Sequence, residues 1–181
     1  MNHKESLVLI ILITINTLLT KKLENTLKNK VSSQEPLYDI GHAYLPDLSK
    51  YRQLNDILPL ILMGIALQTR LSGSILKALI IVISMRIITA YVTVLPKSTK
   101  GVCKFDGIIG GCHDKMYSGH MSVNVLASIA IIKIFGTDVI LPVLMTNILS
   151  AIMIVASRDH YTVDVILATI ISILVGNKYI R

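Results

Sequence analysis

Residues 138–176 read DVILPVLMTNILSAIMIVASRDHYTVDVILATIISILVG: two apolar runs, 138–156 and 162–176, divided by the polar junction Ser157-Arg158-Asp159-His160-Tyr161-Thr162-Val163-Asp164. Runs approaching the roughly 20 residues that cross a bilayer core predict membrane helices, so the junction falls at a membrane face. His160 and Asp164 are four residues apart, which on a helix places them on one side within reach of each other. A second imidazole, in Ser118-Gly119-His120, opens another apolar run. Two imidazoles and a carboxylate at helix mouths suit transfer of a phosphoryl-type group through a phosphohistidine, with a lipid as the substrate at hand.

Working outward, the remaining apolar blocks lie near 7–20, 57–71, 74–95 and 121–136. With 52% hydrophobic and 16% charged residues and a mean hydropathy of +0.65, the chain falls outside the range of soluble domains. The expected fold is an all-α polytopic bundle of about six transmembrane helices in one domain spanning 1–181. Lys4 precedes an apolar run of signal-peptide length, but Leu18-Leu19-Thr20-Lys21-Lys22 lacks the small-x-small pattern of a cleavage site, so a retained first helix is expected. Residues 21–56, with Pro36, Gly41 and Pro46, read as an ordered or half-ordered surface loop and not as a linker between domains.

The net charge of +7 comes from basic residues scattered among loops without interleaved aromatics. Lipid headgroups, and not nucleic acid, are therefore the expected anionic partner. Cys103 and Cys112 share one loop, as a disulfide or as two unlinked thiols.

A hairpin of the runs 121–136 and 138–156 brings its open ends, at His120 and His160, to the same side of the membrane. The start of the run at Asp56 and the end of the run near Pro96 join them, which predicts one site at one face. Arg86, inside Ile80-Ile81-Val82-Ile83-Ser84-Met85-Arg86-Ile87-Ile88-Thr89, carries a charge that is costly in a membrane unless it meets a polar cavity or an anion. A phosphate would be such an anion; a structural interhelical pair is the alternative.

Four ordered stretches now bear on family: Pro46-Asp47-Leu48 with Asp56-Ile57-Leu58-Pro59; Arg86 through Pro96; Cys112-His113-Asp114-Lys115-Met116-Tyr117-Ser118-Gly119-His120; and His160-Tyr161-Thr162-Val163-Asp164-Val165. Together they resemble the sphingomyelin synthase family, within the wider lipid phosphate phosphatase superfamily, over about residues 36–176. The resemblance implies a six-helix enzyme that moves phosphocholine or a related headgroup from a glycerophospholipid to ceramide, releasing diacylglycerol, without a metal or organic cofactor. It implies His160 as nucleophile, Asp164 fixing its tautomer, and His120 as the acid that protonates the departing diacylglycerol and then the base toward ceramide. Arg86, Tyr91, Asp114, Ser118, Gly119 and Tyr161 are the candidate phosphate- and substrate-binding residues.

His113 stands where that family has Gly, a departure in the loop of the third motif. The main alternative is a lipid phosphatase, in which water resolves the same intermediate; against it, Tyr117 and not Pro precedes Ser118, and Arg158 lies closer to His160 than in the phosphatases. A polytopic protein with structural or partner-binding duties is the other alternative, and Arg158 and Asp159 read as solvated interface residues. Most lysines and arginines, from Lys21 to Arg158, fall on the site face, which the positive-inside rule puts in the cytosol. The resemblance instead implies a lumenal or exoplasmic site in a Golgi, endoplasmic reticulum or plasma membrane.

Overall fold

Local chemistry at the ends of the apolar runs sets where each helix starts and stops. Ser118, extended at φ −76° and ψ 108°, accepts a hydrogen bond from the Met121 amide and starts one helix. Gly136, at φ 82° and ψ −161°, ends that helix in backbone space that glycine alone enters readily. Pro59 and Pro142 each occupy the third position of a helix, where the missing N–H has no intrahelical partner to lose.

The computed structural model describes residues 3–27, 35–96, 98 and 115–181. Their order is α1 (His3–Leu27), α2 (Ile40–Tyr44), a 3-10 segment (Ser49–Asp56), α3 (Ile57–Leu67), α4 (Ser72–Val92), α5 (Gly119–Phe135), a 3-10 turn (Thr137–Val139), α6 (Ile140–Ala156) and α7 (Thr162–Tyr179). All six expected apolar blocks are helical, in an all-α bundle of membrane type. Four stretches are long and apolar enough to cross a bilayer: His3–Lys22, Ser72–Val92, Thr137–Ala156 and Thr162–Tyr179. The other two are shorter, α5 at 17 residues and α3 at 11. The second block ends at Leu67 instead of 71 because Thr69 turns its hydroxyl back onto the Ala66 carbonyl and the chain bends into α4.

Helix α5 is the centre of the bundle: α3, α4, α6 and α7 all pack on it, while α1 packs along α4. Its Ser122, Ala127, Ser128 and Ala130 are buried and small, which lets neighbouring backbones approach where no hydrophobic drive separates protein from lipid. Polar rungs tie α5 to α6, with Asn124 Nδ2 donating to Ser150 Oγ, and Asn147 Nδ2 to Ser128 Oγ at 2.6 Å. Outward, α6 and α7 expose Leu141, Leu144, Ile152, Ile166, Ile170 and Leu174.

The described residues of the segment expected as a surface loop are a folded part of the bundle. Residues 21–27 continue α1, and from Glu35 the chain wraps around the 156–162 junction. Asp39 caps α2 by accepting from the His42 amide, and also accepts from both the amide (2.9 Å) and hydroxyl (2.7 Å) of Thr162 at the start of α7. Gly41 lies so close to Thr162 Oγ1 and Val155 that an added Cβ would collide with both. Cys103, Cys112 and His113 lie outside the described residues.

Candidate active site

Two buried turns converge on one carboxylate. In the junction between α6 and α7, Arg158 takes a left-handed backbone, φ 57°, held because its guanidinium donates to the carbonyls of His42 and Leu45 at 3.0 Å each. This sharp turn sends Asp159 and His160 inward, where they are 2% and 3% exposed; neither Arg158 nor Asp159 is the solvated interface residue expected from sequence. His42 Nε2 lies 3.0 Å from the His160 carbonyl, and its ring packs on Tyr161 at 5.3 Å.

His160 Nδ1 faces Asp164 Oδ2 at 3.4 Å. The same carboxylate oxygen accepts from the Tyr161 amide at 3.0 Å, fixing Asp164 across the first turn of α7. His120 stands opposite, its ring 6.5 Å from that of His160 and at 69° to it. Two carboxylates flank His120: Nε2 donates to Asp56 Oδ1 at 2.7 Å, and Nδ1 lies 3.3 Å from Asp159 Oδ2, near in charge but off line for a hydrogen bond. The expected convergence of the mouths near 56, 120 and 160 is thus present in the geometry.

Asp159 is the hub. Arg52 Nε reaches it at 2.7 Å and Lys115 Nζ at 3.8 Å, and Lys115 also donates to its backbone carbonyl. Asn55 Nδ2 lies 3.4 Å from Oδ2. Burial works against ionisation of this carboxyl, but the charges of Lys115, His160, His120 and Arg52 overcome it and hold the group far below the ordinary carboxylate range. His160 moves the other way for a base: burial first, then the positive charges of Lys115, Arg86 and His120, lower its pKa well below 6.5 despite the pull of Asp159. The imidazole is therefore neutral at neutral pH and has a lone pair to offer.

Arg86 is 6% exposed and donates from Nη1 to the Tyr117 carbonyl at 3.0 Å, at the loop leading into α5. Gly119 makes room for it, since a Cβ there would come 2.7 Å from Nη1. Ser118 is fully buried as the cap of α5. Two candidates prove differently placed. The Tyr161 hydroxyl is engaged by the chain itself, accepting from the Leu37 amide at 3.2 Å and donating to the Pro96 carbonyl at 3.1 Å, so it clamps the junction. Tyr91 is 67% exposed on α4, and no hydrogen bond among the described residues ties it to the cluster. Asp114 lies outside the described residues.

His120, Asp159 and His160 each bring one donor atom within 4.8 Å of the others, a spacing a metal ion could bridge. Arg52 and Lys115 already sit on the shared carboxylate, and Arg86 acts on the same histidine, so the surrounding charge suits an anion better than a cation. Sequence reasoning had Asp56 and Lys115 within the quoted motifs and Asp159 within the junction without giving them a role in the cluster, and it passed over Arg52 and Asn55, which nothing local marked.

A bundle of apolar helices that brings a buried His–Asp pair opposite a second histidine is an arrangement suited to phosphoryl chemistry. Comparison with known families agrees: residues 111–180 match the PAP2 superfamily C-terminal model, a superfamily of phosphatase and phosphotransferase chemistry on lipid phosphates. The matched stretch carries His120, Asp159, His160 and Asp164, while Arg52, Asp56 and Arg86 lie before it. The chain is also similar to Protein PHLOEM UNLOADING MODULATOR of Arabidopsis thaliana, 42% identical over 65 residues, which are 36% of this chain and 15% of that protein.

Proposed function

We propose that the chain, acting as one catalytic domain, transfers a phospho-headgroup from a glycerophospholipid to ceramide through a phosphohistidine on His160. The observation that carries this reading is the facing pair: a neutral, buried His160 backed by Asp164, with His120 6.5 Å across, a gap a phosphoryl group can bridge. His160 Nε2 attacks phosphorus and the bond from phosphorus to the glycerol oxygen breaks. His120 gives that oxygen its proton, releasing diacylglycerol, while Asp164 steadies the positive charge on the His160 ring through Nδ1–H. His120 then takes the proton of the ceramide hydroxyl, whose oxygen attacks phosphorus and frees His160. Arg86 and Lys115 supply positive charge for the phosphate oxygens, in a site where little water weakens it.

A phosphatase using the same residues is the second reading, favoured by the 62% exposure of the Asp56 side chain beside His120, which gives water a path. Membranes carrying the protein or its His160→Ala variant, supplied with fluorescent ceramide and mixed phospholipids, separate the two. A His160-dependent phosphosphingolipid supports the transferase and identifies its headgroup. Phosphate release from phosphatidic acid without that product would assign the phosphatase.

A further inference from the structure

Helices α3 and α6 both pack on α5 and hardly at all on each other, which leaves a cleft between them. It has a volume of about 100 Å³ and is lined by Leu54, Asn55, Leu58, Leu149, Ser150 and Met153. Two of the residues lining it, Leu54 and Leu149, are half-exposed, 50% and 59%, so it opens at the outer surface of the bundle. Its walls are apolar except for two residues. Ser150 accepts from Asn124 and keeps its own O–H as a donor. Asn55 is 6% exposed and donates from Nδ2 to Ser157 Oγ at 2.8 Å and toward Asp159.

Asn55 ties the cleft to the chemistry. Asp159 is a carboxylate and only accepts, so the carboxamide must turn its NH2 toward it. That leaves the Asn55 Oδ1 buried without a hydrogen-bond partner among the described residues. A buried acceptor of this kind costs on the order of a full hydrogen bond unless a donor arrives, and because Asn55 lines the cleft, a donor seated there can reach it with a small turn of the side chain. The diester backbone of a glycerophospholipid has no donor to give. A ceramide has one in its amide N–H, next to the hydroxyl that receives the headgroup, and its amide carbonyl can accept from a hydroxyl such as that of Ser150.

We propose that this cleft seats the acceptor lipid: one ceramide hydrocarbon chain lies along Leu58, Leu149 and Met153, and the amide N–H donates to Asn55 Oδ1. The assignment rests on the transferase reading and adds where the acceptor binds and how it is told from diacylglycerol.

The full-length protein in liposomes, with matched diazirine-bearing ceramide and diacylglycerol probes, provides the test. Light should attach the ceramide probe to residues 49–67 and 140–156. Met153→Trp, which fills the cleft, should cut that labelling at least roughly fivefold and slow steady turnover, while the first, single-turnover burst of His160-dependent diacylglycerol release from glycerophospholipid stays unchanged. Asn55→Ala should lower the preference for ceramide over diacylglycerol roughly tenfold, the equivalent of one hydrogen bond. Three outcomes would overturn the assignment: equal labelling by both probes, labelling indifferent to Met153→Trp, or loss of the single-turnover diacylglycerol burst in step with loss of labelling, which would give the cleft to the donor. Selective ceramide labelling without any His160-dependent ceramide product would keep the acceptor site and overturn the transferase reading.

Discussion

His160 and Asp164 form a pair in which one partner orients the other. Replacing Asp164 by Asn keeps the shape but offers Nδ1 the wrong group, and the loss should be large, roughly 10³- to 10⁴-fold in turnover; His160→Ala should abolish turnover, with both variants still inserting into membranes. A rate near that of the parent protein in either would end the phosphohistidine mechanism. The pH profile is a second check. Because the pKa of His160 is depressed, the imidazole stays unprotonated as pH falls below 6.5, so the acid limb of the diacylglycerol-release burst, the half-reaction in which His160 attacks, should lie below that value. A limb at or above 6.5 would mean a different nucleophile or an open, hydrated ring. Asp159→Asn takes the carboxylate charge away from the buried Lys115 and from Arg52, and should cost about 3 kcal/mol, read as a lower midpoint of heat aggregation in detergent. His120, His160 and Asp164 were legible because their signals are local: a Ser cap followed by His, and a His–Asp pair one turn apart. Asp56 and Asn55 were not, because their partners lie 64 and 104 residues away and no periodicity encodes such a meeting.

Among the elements, the collar from Leu37 to Leu48 is what turns a loop histidine into a fixed one. Asp39 spans the starts of α2 and α7, His42 and Arg158 bind each other's strand of backbone, and the Leu48 amide donates to the Ala156 carbonyl at 2.9 Å. Asp39→Ala removes a helix cap and two bonds to Thr162, and should cost about 1–2 kcal/mol together with turnover, because the His160 turn loosens. If thermostability falls while turnover holds, the collar serves folding alone. Gly41→Val should be worse than Gly41→Ala, since the first methyl already meets Thr162 and Val155. Sequence composition made this stretch look like a loop because its Pro, Gly and charges mark breaks in regular structure; that the breaks themselves fold onto the junction depends on contacts more than 100 residues apart. The helices, by contrast, were readable nearly to their ends, as apolar length is a property of the chain itself.

For the whole molecule, the central position of α5 explains how a short bundle holds a buried site steady. The α7 glycine Gly176 lets Leu126 and Ile129 of α5 pack in close, so Gly176→Leu should pry α5 from α7 and lower both thermostability and turnover, although it sits far along α7 from His160. Three helices, α3, α5 and α7, also begin at the cluster, directly after Asp56, Ser118 and Tyr161. Each helix start carries roughly half a positive charge from its aligned peptide dipoles. Helices α4 and α6 end at the same face, at Val92 and Ala156, with the opposite half charge, so each helix start acts only on the groups directly before it. With helix starts and helix ends offset across the face, its preference for an anion is left to the side chains, and a variant stripped of Arg86 should lose most of its hold on inorganic phosphate.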